Sequence, residues 1–301
     1  MTTEDNNKND YLFHEKEDDE EKKEEDEVLL LTDRMRLRTK KIHDKSDKLV
    51  NLKLVMVLTS RELYAEAISL FWPIYNEIEV LLEKHRDHPQ LGLYYPYLDI
   101  LRRASKFERD IRFMLHNNET KTKELFERRR PKGEVETFSP PELQDYIMNL
   151  RRLSEENPIA LIAYVQNMYG AIMAGGFMIK KTVKHAFLLS KDKSDGVEAF
   201  EIKLNGKFKT VNGLRKELKR IVNVDMKSLT EEQEEAIFEE SSMVFVRNNA
   251  LVATAKETVA FQKATTRVIR FCTIVVIVPL LLVVSAAAIL TTKGNNKNFA
   301  V

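Results

Sequence analysis

Two places in this 301-residue chain hold residue types that could do chemistry. The first is His43, inside the basic run RMRLRTKKIHDKSDKLVN. A neutral imidazole can ligate a metal ion or carry a proton, although a lone histidine on a basic helix is more often an ordinary surface or packed residue. The second is residues 159–185, IALIAYVQNMYGAIMAGGFMIKKTVKH. Leu161, Val165, Met168 and Ile172 recur there at helical spacing, yet Gly170, Gly175 and Gly176 interrupt the pattern. Each glycine costs about 1 kcal/mol against alanine in a helix interior. At 3.6 residues per turn, Gly170, Ala171, Ala174 and Gly175 fall within an arc of about 140°. One side of this helix is therefore bare. A bare side admits either a closely crossing helix or a flat, bulky ligand against the backbone, and Gly175-Gly176 is where a kink is expected. The stretch alone leaves both readings open.

Other constellations carry less. His85 and His88 lie near Glu83 and Asp87, but beside a loop marked by Pro89, where a solvated surface competes with a metal site. The single cysteine, Cys272, excludes an internal disulfide framework and a cysteine-based zinc site. No serine or aspartate falls in a nucleophile motif. The cluster Arg128 to Arg130 has no aromatic interleaving, so nucleic acid is not the expected partner.

The elements that must position these residues read as all-α. Residues 1–27 hold thirteen acidic residues and four lysines, a net of −9. Because the whole chain carries +1, the remainder carries +10. The acidic tail is too polar to bury a core and is expected to be disordered. Residues 28–260 are expected to form one helical domain. Thr32-Asp33 offers a cap for the first helix, and Thr59 or Ser60 for the second, which continues to Lys84 with a bend at Pro73. A third helix is expected over 97–115, a long connection over 117–140, and a fourth helix from Pro141, capped by Ser139. Residues 190–206 read as irregular with a possible short strand, 211–222 as a basic helix, and Thr230-Glu-Glu-Gln as a capping-box start of the last helix. A linker over 261–270 leads to residues 271–292, FCTIVVIVPLLLVVSAAAILTT, which are free of charge. At about 1.5 Å per residue these 22 residues span about 33 Å, enough for a bilayer core. A short lumenal tail, 293–301, follows. The layout is that of a tail anchor with the large body facing the cytosol, in the endoplasmic reticulum membrane or alternatively the mitochondrial outer membrane.

Taken in order, these features resemble membrane-anchored heme oxygenase over roughly residues 31–259. Thr39-Lys-Lys-Ile-His43 is similar to the family's proximal helix, so the resemblance implies that His43 is the axial ligand of the heme iron. Arg36, two turns earlier, matches a basic residue that reaches a heme propionate. The second helix is similar in its elements from Thr59 to Glu79. Tyr169, Gly175, Gly176, Lys180 and Lys181 reproduce the end of the family's distal helix. Lys216 and Arg220 resemble its propionate-binding pair, and Phe245 with Asn248 resembles its pocket-lining pair on the last helix. The resemblance implies an all-α heme-oxygenase-like domain in which heme b is both substrate and cofactor. It implies cleavage by O₂, with electrons from NADPH through a membrane-bound flavoprotein reductase, to biliverdin, CO and ferrous iron. Arg36, Thr39, Tyr169, Lys216, Arg220, Phe245 and Asn248 are then the expected heme contacts, and Gly175, Gly176, Ala171 and Ile172 the expected catalytic positions.

The departures from the family pattern are specific. Ile172 stands where animal and bacterial members hold a distal aspartate, Ala171 replaces a glycine, Met168 an arginine, and Phe71 a distal tyrosine. The pattern Ala-x-x-Ala-Gly-Gly resembles the fungal branch, which also lacks the aspartate. Asn167 or Gln166 is the candidate for a replacement polar contact. Two other functions are therefore kept beside ring cleavage: a non-degrading or peroxidase-like heme protein, and a tail-anchored scaffold without heme.

Overall fold

The computed structural model describes residues 29–129 and 140–254, with isolated positions 266, 269 and 273. The acidic tail and, apart from those positions, the linker and the apolar run 271–292 lie outside the described residues. Among the described residues there are helices and no strands. They are α1 Leu31–Val57, α2 Arg61–Lys84, α3 Leu98–Leu101, α4 Ala104–Met114, α5 Glu119–Arg129, α6 Pro141–Glu156, α7 Ile162–Tyr164, α8 Gly170–Ala186, α9 Val211–Arg220 and α10 Glu231–Thr254. A helix of 3₁₀ type over Leu91–Tyr97 precedes α3, another over Pro158–Leu161 precedes α7, and π-helical turns follow α7 and α9.

The central post is α2. It buries residues on more than one stripe, Leu63, Ile68, Trp72, Tyr75, Ile78 and Leu82 among them, because α4, α5 and α6 all pack against it. Ser60 caps it as expected, its hydroxyl accepting from the Leu63 N–H at 3.5 Å, and the helix continues through Pro73. The last helix opens on the expected capping box: the Gln233 N–H donates to Thr230 Oγ1 at 3.3 Å, and the Thr230 N–H donates to Gln233 Oε1 at 3.0 Å. α10 lies along α1 and also meets α6, α7 and the 3₁₀ turn before α7. Residues Pro158–Ala186 are long and apolar enough to cross a membrane, but 61% of that window is buried inside the domain. The buried residues of the stretch lie mostly in its first half, at 159–165, Met168 and Tyr169.

Several elements differ from the sequence reading, each for a physical reason. α1 begins at Leu31 with no side-chain cap. Thr32 instead pairs with Asn223: its N–H donates to Asn223 Oδ1 and its hydroxyl accepts from Nδ2, both at 3.0 Å. The third helix is broken at Arg102-Arg103. There Glu79, reaching across from α2, accepts from the N–H groups of Arg103 and Ala104 and so caps α4 from outside its own sequence. Residues 119–129 are helical rather than a connection, because Thr122, Leu125, Phe126 and Arg129 form a narrow buried stripe at helical spacing. The possible strand near 199–208 is a 3₁₀ turn, Glu198–Phe200, followed by irregular chain.

That 3₁₀ turn is held by one side chain. Asp110, fully buried on α4, accepts from the Glu198 and Ala199 N–H groups, both at 2.8 Å. Burial outweighs these two donors and pushes its carboxyl up to about 7. The native state thus binds the Asp110 proton more tightly than the unfolded chain does, so the stability this group contributes declines as pH rises from about 4 through about 7. Unfolding of the wild type and Asp110→Asn, compared across pH 4 to 8, should show the variant less stable at low pH, where it lacks one acceptor. The gap should close by on the order of 3 kcal/mol toward pH 8. A gap constant across that range would contradict this account.

Candidate functional site

The irregular stretch before α8 sets the direction of the helix that carries the glycines. Residues Val165–Tyr169 form a π-turn, a local widening that is rare and concentrates at functional sites. Two side chains donate to carbonyls in or just before it. Tyr75 from α2 donates to the Met168 carbonyl at 3.0 Å, and Asn167 Nδ2 donates to the Ala163 carbonyl at 2.8 Å. Gln166 Nε2 ties the turn to its neighbours, donating to Tyr94 Oη at 2.9 Å and to the Leu218 carbonyl at 3.2 Å. The NH2 groups of both amides are therefore engaged in holding the turn. The helical hydrogen bonding is not interrupted at Gly175-Gly176, the expected site of a kink. α8 runs unbroken from Gly170 to Ala186, and the irregularity lies one turn earlier.

The glycines do different work. A Cβ built on Gly170 or Gly175 would meet nothing within 4 Å. Ala171 and Ala174 are exposed beside them, so the bare side of α8 faces open space rather than a crossing helix. A Cβ on Gly176 would lie 2.6 Å from the Phe200 carbonyl oxygen. Gly176 is thus the point where α8 presses against the 3₁₀ turn that Asp110 holds. Tyr169 turns away from the bare side. It is fully buried and packs its ring edge-on to Tyr75 at 5.5 Å. Ile172 is buried on the shoulder near Gly176.

On α1, His43 is half exposed, its ring edge-on to Phe245 of α10 with centroids 5.4 Å apart. Its Nδ1 lies 3.4 Å from Asp47 Oδ2, one turn on. A carboxylate at Nδ1 favours the tautomer with its proton there and leaves Nε2 as the free lone pair. Thr39, one turn earlier, is buried and donates its hydroxyl proton to the Met35 carbonyl at 2.8 Å, so it packs rather than presenting a polar group. One turn after Phe245, Asn248 accepts from Tyr146 Oη at 3.0 Å, and its Nδ2 lies 3.3 Å from Met168 Sδ in the π-turn. A continuous path therefore joins the two candidates: His43, Phe245, Asn248, Met168, then the start of α8. The bare face and the imidazole are tied to one another through α10.

The basic residues separate into free and engaged groups. Arg36 and Lys216 are exposed and have no ion-pair partner among the described residues. Arg220 is clamped. Its guanidinium pairs with Glu217 at 2.8 Å and with Asp225 at 2.7 Å, and Glu217 also accepts from Tyr97 Oη at 2.7 Å. The Arg220 hydrogen bond, then that from Tyr97, pull the Glu217 carboxyl down to about 2. Arg220 therefore fixes the corner after α9 and offers no free charge, unlike Lys216. His85 hydrogen-bonds Ser154 Oγ at 2.8 Å, and His88 Nδ1 accepts from the Gln90 and Leu91 N–H groups; no metal-binding cluster occurs among the described residues.

Sequence reasoning missed a buried network behind the path. Tyr164 and Arg247 both donate to Glu240, and Asn149 Nδ2 donates to Glu240 Oε1 at 3.0 Å. It locks α6, α7 and α10 together. Only the adjacency of Arg247 to Asn248 hinted at it.

The heme oxygenase family model matches residues 29–254. Heme-binding protein HMX1 of Saccharomyces cerevisiae is 22% identical over 162 residues, 51% of this chain and 49% of that protein. Heme oxygenase 2 of Macaca fascicularis is 22% identical over 161 residues, 53% of this chain and 46% of that one. The chain thus matches about half the length of these relatives. Among solved structures, heme oxygenase 2 of Chlamydomonas reinhardtii without heme has a TM-score of 0.64 at 24% identity, covering 75% of this chain and 97% of that one. Heme oxygenase-1 of the cyanobacterium Synechocystis, in complex with heme, also has a TM-score of 0.64, at 21% identity, covering 80% and 98%. These likenesses carry the fold.

The two central glycines should respond oppositely to the same methyl group. Gly175→Ala fills open space and gains helix propensity, so it should raise stability by about 0.5–1 kcal/mol. Gly176→Ala must push α8 off the Phe200 carbonyl and should cost about 1–3 kcal/mol. Thermal unfolding of the two variants decides it. Equal shifts would mean that Gly176 is not pressed on that carbonyl.

Proposed function

The chain belongs to the heme oxygenase family, and from that premise we propose that it binds heme b and cleaves it with O₂ and NADPH-derived electrons to biliverdin, CO and ferrous iron. The observation that carries this reading is the path of contacts from His43 through Phe245 and Asn248 to Met168, which ties an imidazole to a helix face without side chains. The residues fit the ligand. Heme is a flat apolar disc with two carboxylates on one edge. His43 Nε2 is oriented by the carboxylate at Nδ1 to ligate the iron. Gly170, Ala171, Ala174 and Gly175 let the ring lie against backbone. Arg36 and Lys216 hold free positive charge for the propionates, and Arg220 positions the corner after α9.

Bound heme supplies the redox-active iron and is itself the molecule oxidised. The chain's own residues bind it, orient it and exclude bulk water from one face. The Met168 thioether and the Ile172 side chain put no ionisable group on the distal shoulder. This favours a second reading, a heme-binding or peroxidase-like protein that does not open the ring. We further propose that residues 271–292 anchor the chain in the endoplasmic reticulum membrane with its body toward the cytosol. The +10 charge outside the acidic tail suits an acidic flavoprotein reductase in the same membrane.

Two measurements test this. His43→Ala should lose the hemin absorption spectrum of the parent and weaken hemin binding at least tenfold; an unchanged spectrum rejects His43 as ligand. Hemin-loaded protein given reductase and NADPH in air should lose its Soret band as biliverdin forms. A reduced, oxygen-exposed complex whose heme stays intact favours the non-degrading reading instead.

A further inference from the structure

α1 has three sides. On a helical wheel at about 100° per residue, Met35, Thr39 and Ser46 form the side buried along α10. Arg36 and His43 share a second strip. The third strip, roughly opposite the buried side, carries Leu37, Lys41, Lys45, Lys48, Leu52 and Val55 in that order. Leu37, Leu52 and Val55 are 52%, 68% and 64% exposed. The three lysines are exposed; Lys48 lies within the field of Asp44, one turn earlier, and Lys41 and Lys45 have no ion-pair partner among the described residues. A helix with one buried side and a second side both basic and apolar is incomplete as it stands.

We infer that the occupant of this strip is the chain's own N-terminal segment, folded back along α1 in the antiparallel direction. The complementarity is ordered. Moving back from α1, residues 15–27 carry ten carboxylates against three lysines, and beyond them lies Tyr11-Leu12-Phe13. Moving forward along α1, the lysines come first and the exposed Leu52 and Val55 come after. Returning through the acidic block thus sets carboxylates beside Lys41, Lys45 and Lys48, and then sets the apolar triplet beside Leu52 and Val55. The reach is ample. Leu52 lies about 32 Å along α1 from Leu31, and the eighteen residues from Phe13 to Leu31 extend to about 60 Å. A tether this short gives an effective concentration on the order of millimolar, which favours the segment over a separate acidic partner.

The start of α1 also sits at a basic corner. The reciprocal Thr32–Asn223 pair fixes it against the turn after α9, and α9 brings Arg215 and Lys216. Docked, the segment would hold α1 from the side opposite α10. This would steady the helix that bears His43 and place negative charge near Arg36. The effect on hemin entry rests on the proposed function; the docking itself does not.

The test uses the full chain without heme. A carbodiimide joins a carboxylate to an amine only at contact distance, with loss of water. Intramolecular products should link residues 15–27 chiefly to Lys41, Lys45 and Lys48, and should fall at least fivefold in 1 M NaCl, where the Debye length shrinks to about 3 Å. Leu12→Ser with Phe13→Ser should lower the yield about threefold while leaving all the reacting groups in place. Amide exchange over residues 41–55 should be about tenfold slower in the parent than in a variant whose ten carboxylates are replaced by amides. Links scattered over other lysines, links that form only between two molecules, or exchange equal in parent and variant would overturn the inference. Hemin should associate several-fold faster with the amide variant at low salt. If neither form binds hemin while the cross-links stand, the proposed function fails and the docking does not.

Discussion

The architecture depends on one backbone contact. At Gly176 the axis of α8 comes so close to the Phe200 carbonyl that a Cβ would lie 2.6 Å away. Only glycine permits that approach. Once α8 is pressed there, its opposite side must face outward, and that side is the bare one of Gly170, Ala171, Ala174 and Gly175. The turn it presses on is rigid because Asp110 accepts two of its N–H groups. The core of the domain thus sets the attitude of the candidate site through a carboxylate, a 3₁₀ turn and a missing methyl group, and none of these touches the site itself.

The same economy governs the polar groups. Glu79 caps α4 from a neighbouring helix, Asp110 caps a turn from α4, and Glu240 gathers Tyr164, Arg247 and Asn149. A buried carboxylate is costly unless its lone pairs are filled, and each of these is filled by groups that fix the relative placement of two elements. Arg220 belongs to this structural class, since Glu217 and Asp225 consume its charge. Arg36, Lys41, Lys45 and Lys216 do not. Charge left uncompensated on a helix that also carries an exposed imidazole is where partners of opposite sign are to be sought.

The sequence made most of the helices legible through their apolar spacing and their caps at Ser60 and Thr230, because those signals are local. Pairing of elements was not legible, because it depends on side chains that reach across the fold. Nothing near residue 103 announces that Glu79 will cap the next helix, and nothing in the polar run 119–129 outweighs its charges except a stripe of four buried residues. His43, Phe245, Asn248 and the glycines were identifiable by type and order. Their division of labour was not: Gly175 and Gly176 are neighbours in sequence, yet one faces solvent and the other a carbonyl oxygen. Tyr169, a conspicuous residue beside Gly170, points into the core. Tyr146 and Tyr75, which hold Asn248 and the π-turn, carried no sequence signal at all.

The distal shoulder leads to a physical conclusion about proton supply under the proposed function. Its nearest described side chains are a thioether at Met168, an alkyl group at Ile172 and an amide at Asn248, none of which titrates near neutrality. Tyr146 behind them is fully buried, and that burial raises its hydroxyl far above the usual phenol range, so it acts as a fixed neutral donor to Asn248. None of these described side chains is therefore an internal acid. Ala171 and Ala174 are exposed to solvent immediately beside it, and small side chains leave room for ordered water against the helix backbone. Under the proposed function the ring covers these same residues, so a solvent path along α8 remains only where the ring stands off the backbone. Proton delivery then depends on how closely a bound ring approaches α8, which is the distance that Gly170 and Gly175 keep free.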